Sequence, residues 1–134
     1  MSIQQAIRDR VRVLNKHATN RILIHIAGRS FGHFSILTHT GRKTGRIYRI
    51  PVIAEPVENG FVFALTYGRK VDWGANVLAR GGCSLKWKNK NYILTDPKFV
   101  EPETGLKAFP GILHLALRMA GVHDFLRLSI VKTI

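Results

Sequence analysis

The residues best suited to chemistry in this 134-residue chain sit in one short run, Gly41-Arg42-Lys43-Thr44-Gly45. Two cations, a hydroxyl and the peptide N–H groups of a tight loop can converge on one anion. The glycine at each end tolerates φ > 0 and lets another backbone or a ligand come close. A charged, solvated hairpin turn is the plain alternative, because turns of this composition are common. A second basic, glycine-containing loop follows at Tyr67-Gly68-Arg69-Lys70-Val71. Tyr48, Tyr67 and Trp73 offer flat apolar surface, although Trp73 serves equally well as ordinary core.

Conventional catalytic constellations are missing. The eight acidic residues are scattered, so no carboxylate pair stands at a useful spacing. There is no nucleophile elbow, no Walker loop and no histidine pair at a metal-ligand spacing, and no metal is expected. If such a chain is an enzyme, a bound cofactor must carry the reaction. That cofactor would need anion clamps, a flat apolar slot and exclusion of water.

Charge says more than the motifs about what binds. The formal charge is +13, and from Arg10 through Ala54 there is no Asp or Glu. An excess of this size repels itself in the folded state, so a polyanionic partner is expected. Nucleic acid, an anionic membrane surface and a small ligand with several phosphates or carboxylates all qualify. With 46% hydrophobic residues the chain is globular, and its length suits a single domain over residues 1–134. The lone Cys83 excludes an intramolecular disulfide and fits a reducing, cytoplasmic compartment. No secretory signal opens the chain, and the longest apolar stretch is too short to span a bilayer.

The elements that must position these residues follow from periodicity. Ile3, Ile7, Val11, Leu14 and Ala18 recur at helical spacing with cations off the stripe, which predicts an amphipathic basic helix that packs on the domain or lies on a membrane. Phe34, Ile36 and Thr38 alternate with Ser35, Leu37 and His39, and Ile47 to Ile53 is rich in β-branched residues. The basic loop therefore joins two strands of a hairpin. Asn59-Gly60 predicts a further hairpin turn into a strand at Phe61–Thr66. Asp72 is read as the N-cap of a short helix ended by Gly81-Gly82. Cys83–Lys88 and Tyr92–Val100 pair through an Asn89-Lys90-Asn91 turn. Pro110 opens an apolar helix whose default is burial, and Val122–Ile134 forms a strand or an extended cover. Short hairpin connections then predict a small antiparallel barrel of the α+β class, with helices toward both termini.

Two stretches also carry a resemblance. Leu37 to Val52 and Ala64 to Leu78, in that order, resemble the deazaflavin-dependent nitroreductases and quinone reductases, a chiefly actinobacterial family. The likeness covers roughly residues 20 to 100. It implies a split antiparallel β-barrel of the FMN-binding type and the cofactor coenzyme F-420, an 8-hydroxy-5-deazaflavin with a phosphodiester, a carboxylate and an oligoglutamate tail. Such a ligand is polyanionic, which answers the charge excess. By the same resemblance Arg42, Lys43 and Thr44, in the loop closed by Gly45, meet the phosphate or tail. Arg49 and Pro51 match positions on the next strand. Tyr67 and Gly68 line the phosphate and ring edge, and Trp73 and Asn76 border the ring. The implied reaction is hydride transfer from the reduced coenzyme to a small-molecule electron acceptor: a quinone, a nitro compound or an activated alkene. Tyr67 or Tyr48 is the candidate proton donor to the product.

Rival expectations stand beside it. One is a non-enzymatic barrel for a fatty acid, haem or FMN, the last also being the alternative cofactor. The other is a nucleic-acid-binding barrel, disfavoured because the cations gather in loops and the first helix rather than on an aromatic strand face. No nucleic acid is therefore expected. The chain is expected to be a monomer or homodimer, cytoplasmic, with peripheral contact with the anionic inner face of the membrane as a further option.

Overall fold

The computed structural model describes residues 34–69 and 71–134. The expected basic helix at the N-terminus lies outside the described residues, as does Lys70.

Six antiparallel strands close into a barrel in the order β1-β2-β3-β6-β5-β4. These are β1 Phe34–Thr40, β2 Ile47–Val57, β3 Gly60–Ala64, β4 Gly82–Trp87, β5 Lys90–Val100 and β6 Phe125–Thr133. Three helices stand among the described residues: α1 Asp72–Arg80 between β3 and β4, then α2 Pro102–Ala108 and α3 Gly111–Met119 between β5 and β6. The barrel is closed by β1 pairing with β4, so no strand of it is left as an edge.

Side-chain alternation divides the apolar residues between two cores. Leu37, Val52, Ala54, Phe61, Phe63, Leu85, Leu94, Leu126 and Leu128 point into the barrel. Ile53, Val62, Ala64 and Phe125 face the other way and pack against Leu106, Phe109, Leu113 and Leu117 of the α2–α3 segment. β3 therefore has both faces covered, which is why Phe61 to Leu65 reads as an unbroken apolar run rather than an alternating one. Gly105 permits the close approach of α2, because a Cβ there would overlap the ring of Phe125.

Several expectations need correction. The fourth strand spans Gly82–Trp87 and the third stops at Ala64. The turn after β4 is Lys88-Asn89, not Asn89-Lys90-Asn91; both residues have positive φ, at 46° and 65°, and Trp87 pairs directly with Lys90. A two-residue turn of that hand matches the twist of the flanking strands better than a longer loop does. Asp72 is the first helical residue rather than the cap; Val71 occupies the N-cap without a side-chain hydrogen bond. The apolar helix α3 is buried along one face only. Leu113 and Leu117 are within the core, whereas Ile112 and Met119 are 63% and 79% exposed. A nine-residue helix lying on the outside of a barrel has one stripe to bury. The chain after α3 is a strand over Phe125–Thr133, and it sits between β3 and β5, completing the barrel.

Candidate functional site

The β1–β2 loop and the N-terminal half of α1 enclose a cavity of about 790 Å³. The loop is tightly made. Gly41 N–H donates to Arg46 O at 2.7 Å and Gly45 N–H donates back to Gly41 O at 3.0 Å. Gly45 has φ 71°, the left-handed conformation that a side chain resists. A Cβ on Gly41 would lie 2.8 Å from Thr44 Oγ1 and 3.2 Å from the Tyr48 ring, so glycine is what lets the loop fold over that ring.

The loop is then tied to α1 by side chains far away in sequence. Asn76 Oδ1 accepts from Arg42 N–H at 3.0 Å and from the Arg42 guanidinium at 2.7 Å. Its amide nitrogen donates to His39 Nδ1 at 3.0 Å. Arg80 donates to Gly41 O at 2.8 Å, and Arg42 lies 3.6 Å from the Asp72 carboxylate. Asp72 is largely exposed, so that ion pair contributes little; the hydrogen bonds to the buried Asn76 are the anchor. His39 stacks on Tyr48 with ring centroids 5.3 Å apart. Burial pushes the imidazole pKa below its ordinary 6.5, with Asp72 opposing, so the ring is neutral at neutral pH.

Of the residues singled out from sequence, Arg42, Lys43, Thr44, Tyr48, Tyr67, Trp73 and Asn76 all line this cavity. Gly45, Arg49, Pro51 and Gly68 do not: Gly45 shapes the loop, Arg49 and Pro51 are exposed on β2, and Gly68 turns the second loop at φ 90°. Gly41, read as one end of the loop, also lines it; sequence reasoning missed His39, Ile50, Val71 and Asp72 as lining residues. His39 alternates in phase with the buried Leu37, but nothing in the sequence says which face of the strand turns inward.

The parts fall into two groups. Arg42 and Asn76 are engaged with one another, which gives them a share in holding the loop. Among the described residues Lys43 forms no ion pair, and Thr44 Oγ1 accepts from Arg46 N–H at 3.3 Å, which leaves its own proton free to donate. Trp73, packed edge-on to Phe63, and Tyr67 supply the apolar walls. Burial raises the Tyr67 pKa, so its phenol keeps its proton at neutral pH. The second loop was expected to add cations, but Arg69 is turned away: it donates to Asp124 at 3.0 Å and lies over the Phe99 ring at 4.2 Å. Among the described residues no cluster of His, Cys, Asp and Glu could hold a metal ion. Cys83 is half-buried, with its thiol pushed up to about 12 by desolvation, and it does not line the cavity.

Barrel and helices together define an α+β fold of the split-barrel type. Solved structures share it. An F-420-H2-dependent reductase superposes with a TM-score of 0.53 at 17% identity, over 72% of this chain and 94% of that one. A protein from Bacteroides thetaiotaomicron proposed for 5-nitroimidazole antibiotic resistance superposes with a TM-score of 0.54 at 8% identity, over 76% and 75% of the two chains. A third, described as a domain-swapped dimer, gives 0.50 at 16% identity, over 96% and 100%. At these identities the likeness is one of fold. No protein-family model matches the chain, and no curated protein matches it. Among the described residues no helix is long and apolar enough to cross a membrane.

Proposed function

We propose that the chain is a deazaflavin-dependent oxidoreductase that passes a hydride from reduced coenzyme F-420 to a quinone, a nitro compound or an activated alkene. The observation that carries the reading is the joint lining of one cavity by Lys43, Thr44 and Trp73. A cation, a hydroxyl and aromatic surface thus line the same space. That pairing suits a ligand with a flat ring and an anionic arm. The sequence resemblance, the charge of +13 and the shared fold of an F-420-H2-dependent reductase point the same way.

When bound, the reduced deazaflavin supplies the hydride, two electrons with one proton, and leaves oxidised. The residues of this chain bind and orient. Lys43 and Thr44 meet the phosphate or the carboxylate tail through charge-assisted hydrogen bonds. Arg42 and Asn76 fix the loop from which they reach. Trp73 and Tyr67 flank the ring and keep water from it, so donor and acceptor are held for transfer rather than activated by acid–base chemistry. Tyr67, protonated at neutral pH, is the proposed donor of a proton to the reduced product. The site takes a single small-molecule acceptor, and the fold shared with a domain-swapped dimer makes a homodimer the state to look for first.

Incubation of the protein with chemically reduced coenzyme and a panel of quinones, nitroaromatics and enones tests the activity. Protein-dependent return of the oxidised coenzyme's visible absorbance with at least one acceptor is expected. If none of the three classes accelerates reoxidation above the protein-free rate, the reductase assignment is wrong.

A further inference from the structure

We propose that His39 is a positioning residue that makes the basic loop pH-sensitive: with Nδ1 unprotonated it accepts from Asn76 and holds the loop, and a proton on Nδ1 displaces Asn76 and frees Arg42.

The proton inventory requires it. Asn76 Oδ1 is claimed by two donors, the Arg42 peptide N–H and the Arg42 guanidinium. Its amide must therefore present NH2 to His39, and NH2 only donates. His39 Nδ1 has to carry a lone pair, which puts the ring proton on Nε2. Protonating Nδ1 makes that contact a clash of two donors. Turning the Asn76 amide over does not relieve it, because NH2 would then face the two Arg42 donors. No arrangement of the buried Asn76 satisfies a charged His39 and Arg42 together.

The surroundings set the direction. From α1, Asn76 and the anionic Asp72 face the ring; from the loop comes cationic Arg42, with Lys43 on the same cavity wall; from β2, Tyr48 stacks on it; Arg80 holds Gly41 O beside it. Burial disfavours the imidazolium more than Asp72 favours it, so the folded ring titrates below 6.5. Because the unfolded chain binds that proton more readily, the tether is intact above about 6.5 and is lost as pH falls through the lower folded value. The loop behaves this way whatever anion it meets.

The test therefore reads the ligand-free protein by NMR of the full ¹⁵N-labelled chain. At about pH 7.5 the His39 ring is expected as the Nε2–H form. On acidification the Arg42 amide proton moves upfield as it loses its acceptor, with an inflection at the pKa of His39 itself. Asn76→Asp reverses the response: a carboxylate only accepts, so His39 takes a proton on Nδ1, titrates higher than in the unsubstituted protein, and charges without loss of the Arg42 hydrogen bond. An Nδ1–H tautomer in the unsubstituted protein, or an Arg42 amide indifferent to His39 titration, overturns the proposal. Should Asn76→Asp fail to fold, His39→Gln decides. It keeps an acceptor for Asn76 and must abolish the inflection; an inflection that survives is equally fatal.

Discussion

Asn76→Ala is expected to cost about 2–4 kcal/mol of folding stability and to eliminate saturable coenzyme binding. The side chain is 4% exposed and makes three hydrogen bonds, two to Arg42 and one to His39. Truncation leaves a buried imidazole acceptor and an Arg42 peptide N–H without partners. Each orphaned buried group costs roughly 1–3 kcal/mol, and the small void adds to that. The Arg42 guanidinium is one-third exposed and rehydrates, which keeps the total below the sum of three such penalties. The functional loss follows by a different route. Without its anchor the loop no longer holds Lys43 and Thr44 in the cavity lining, so binding fails even in the fraction of protein that stays folded. Urea denaturation paired with ligand titration at low temperature separates the two effects. Stability and affinity both within error of the parent protein would show that Asn76 anchors nothing.

Arg42→Ala combined with Lys43→Ala is expected to weaken coenzyme binding about 100-fold, equivalent to about 2.7 kcal/mol. Two charge-assisted contributions are removed, one direct and one through loop geometry. Raising the salt concentration should weaken binding to the parent protein steeply and to the double variant only slightly, because exposed anion contacts are screened. The single variants divide the roles. Lys43 is exposed and unpaired among the described residues, so Lys43→Ala should lower affinity and leave stability unchanged. Arg42 shares Asn76 with the loop backbone, so Arg42→Ala should lower both. Equal salt dependence in parent and double variant would place the anionic arm elsewhere on the surface.

The central hairpin was legible because its signals are local: alternation on both sides of a loop bounded by glycines. The barrel was legible because every strand connection but the two helical ones is a short turn. Which face of β1 turns inward was not, since Ile36 and Thr38 are no less apolar than Ser35, Leu37 and His39; Ser35, Leu37 and His39 are the buried set, and Ile36 is exposed. The strand β6 is ambiguous in sequence because its partners, β3 and β5, lie far back in the chain and its pairing with β5 is broken by register shifts. Helix α2 went unrecognised although Pro102 at its start and Glu103 in its first turn are proper opening signals. Seven residues with two buried positions give too little periodicity to stand out. The cavity itself was half legible. Basic and aromatic residues announced themselves by type, whereas His39 acquires its part only through Asn76, 37 positions away and brought near by barrel closure. Arg69 shows the converse, a cation that looked available until Asp124 was folded against it.

Equilibrium titration of the purified protein with oxidised coenzyme F-420, followed by ligand fluorescence, tests the core of this account most directly. A saturable change at low ionic strength that is lost in the Arg42→Ala, Lys43→Ala variant is the predicted result. No saturable change with the parent protein, or the same curve for parent and variant, would contradict the assignment of this cavity to a deazaflavin.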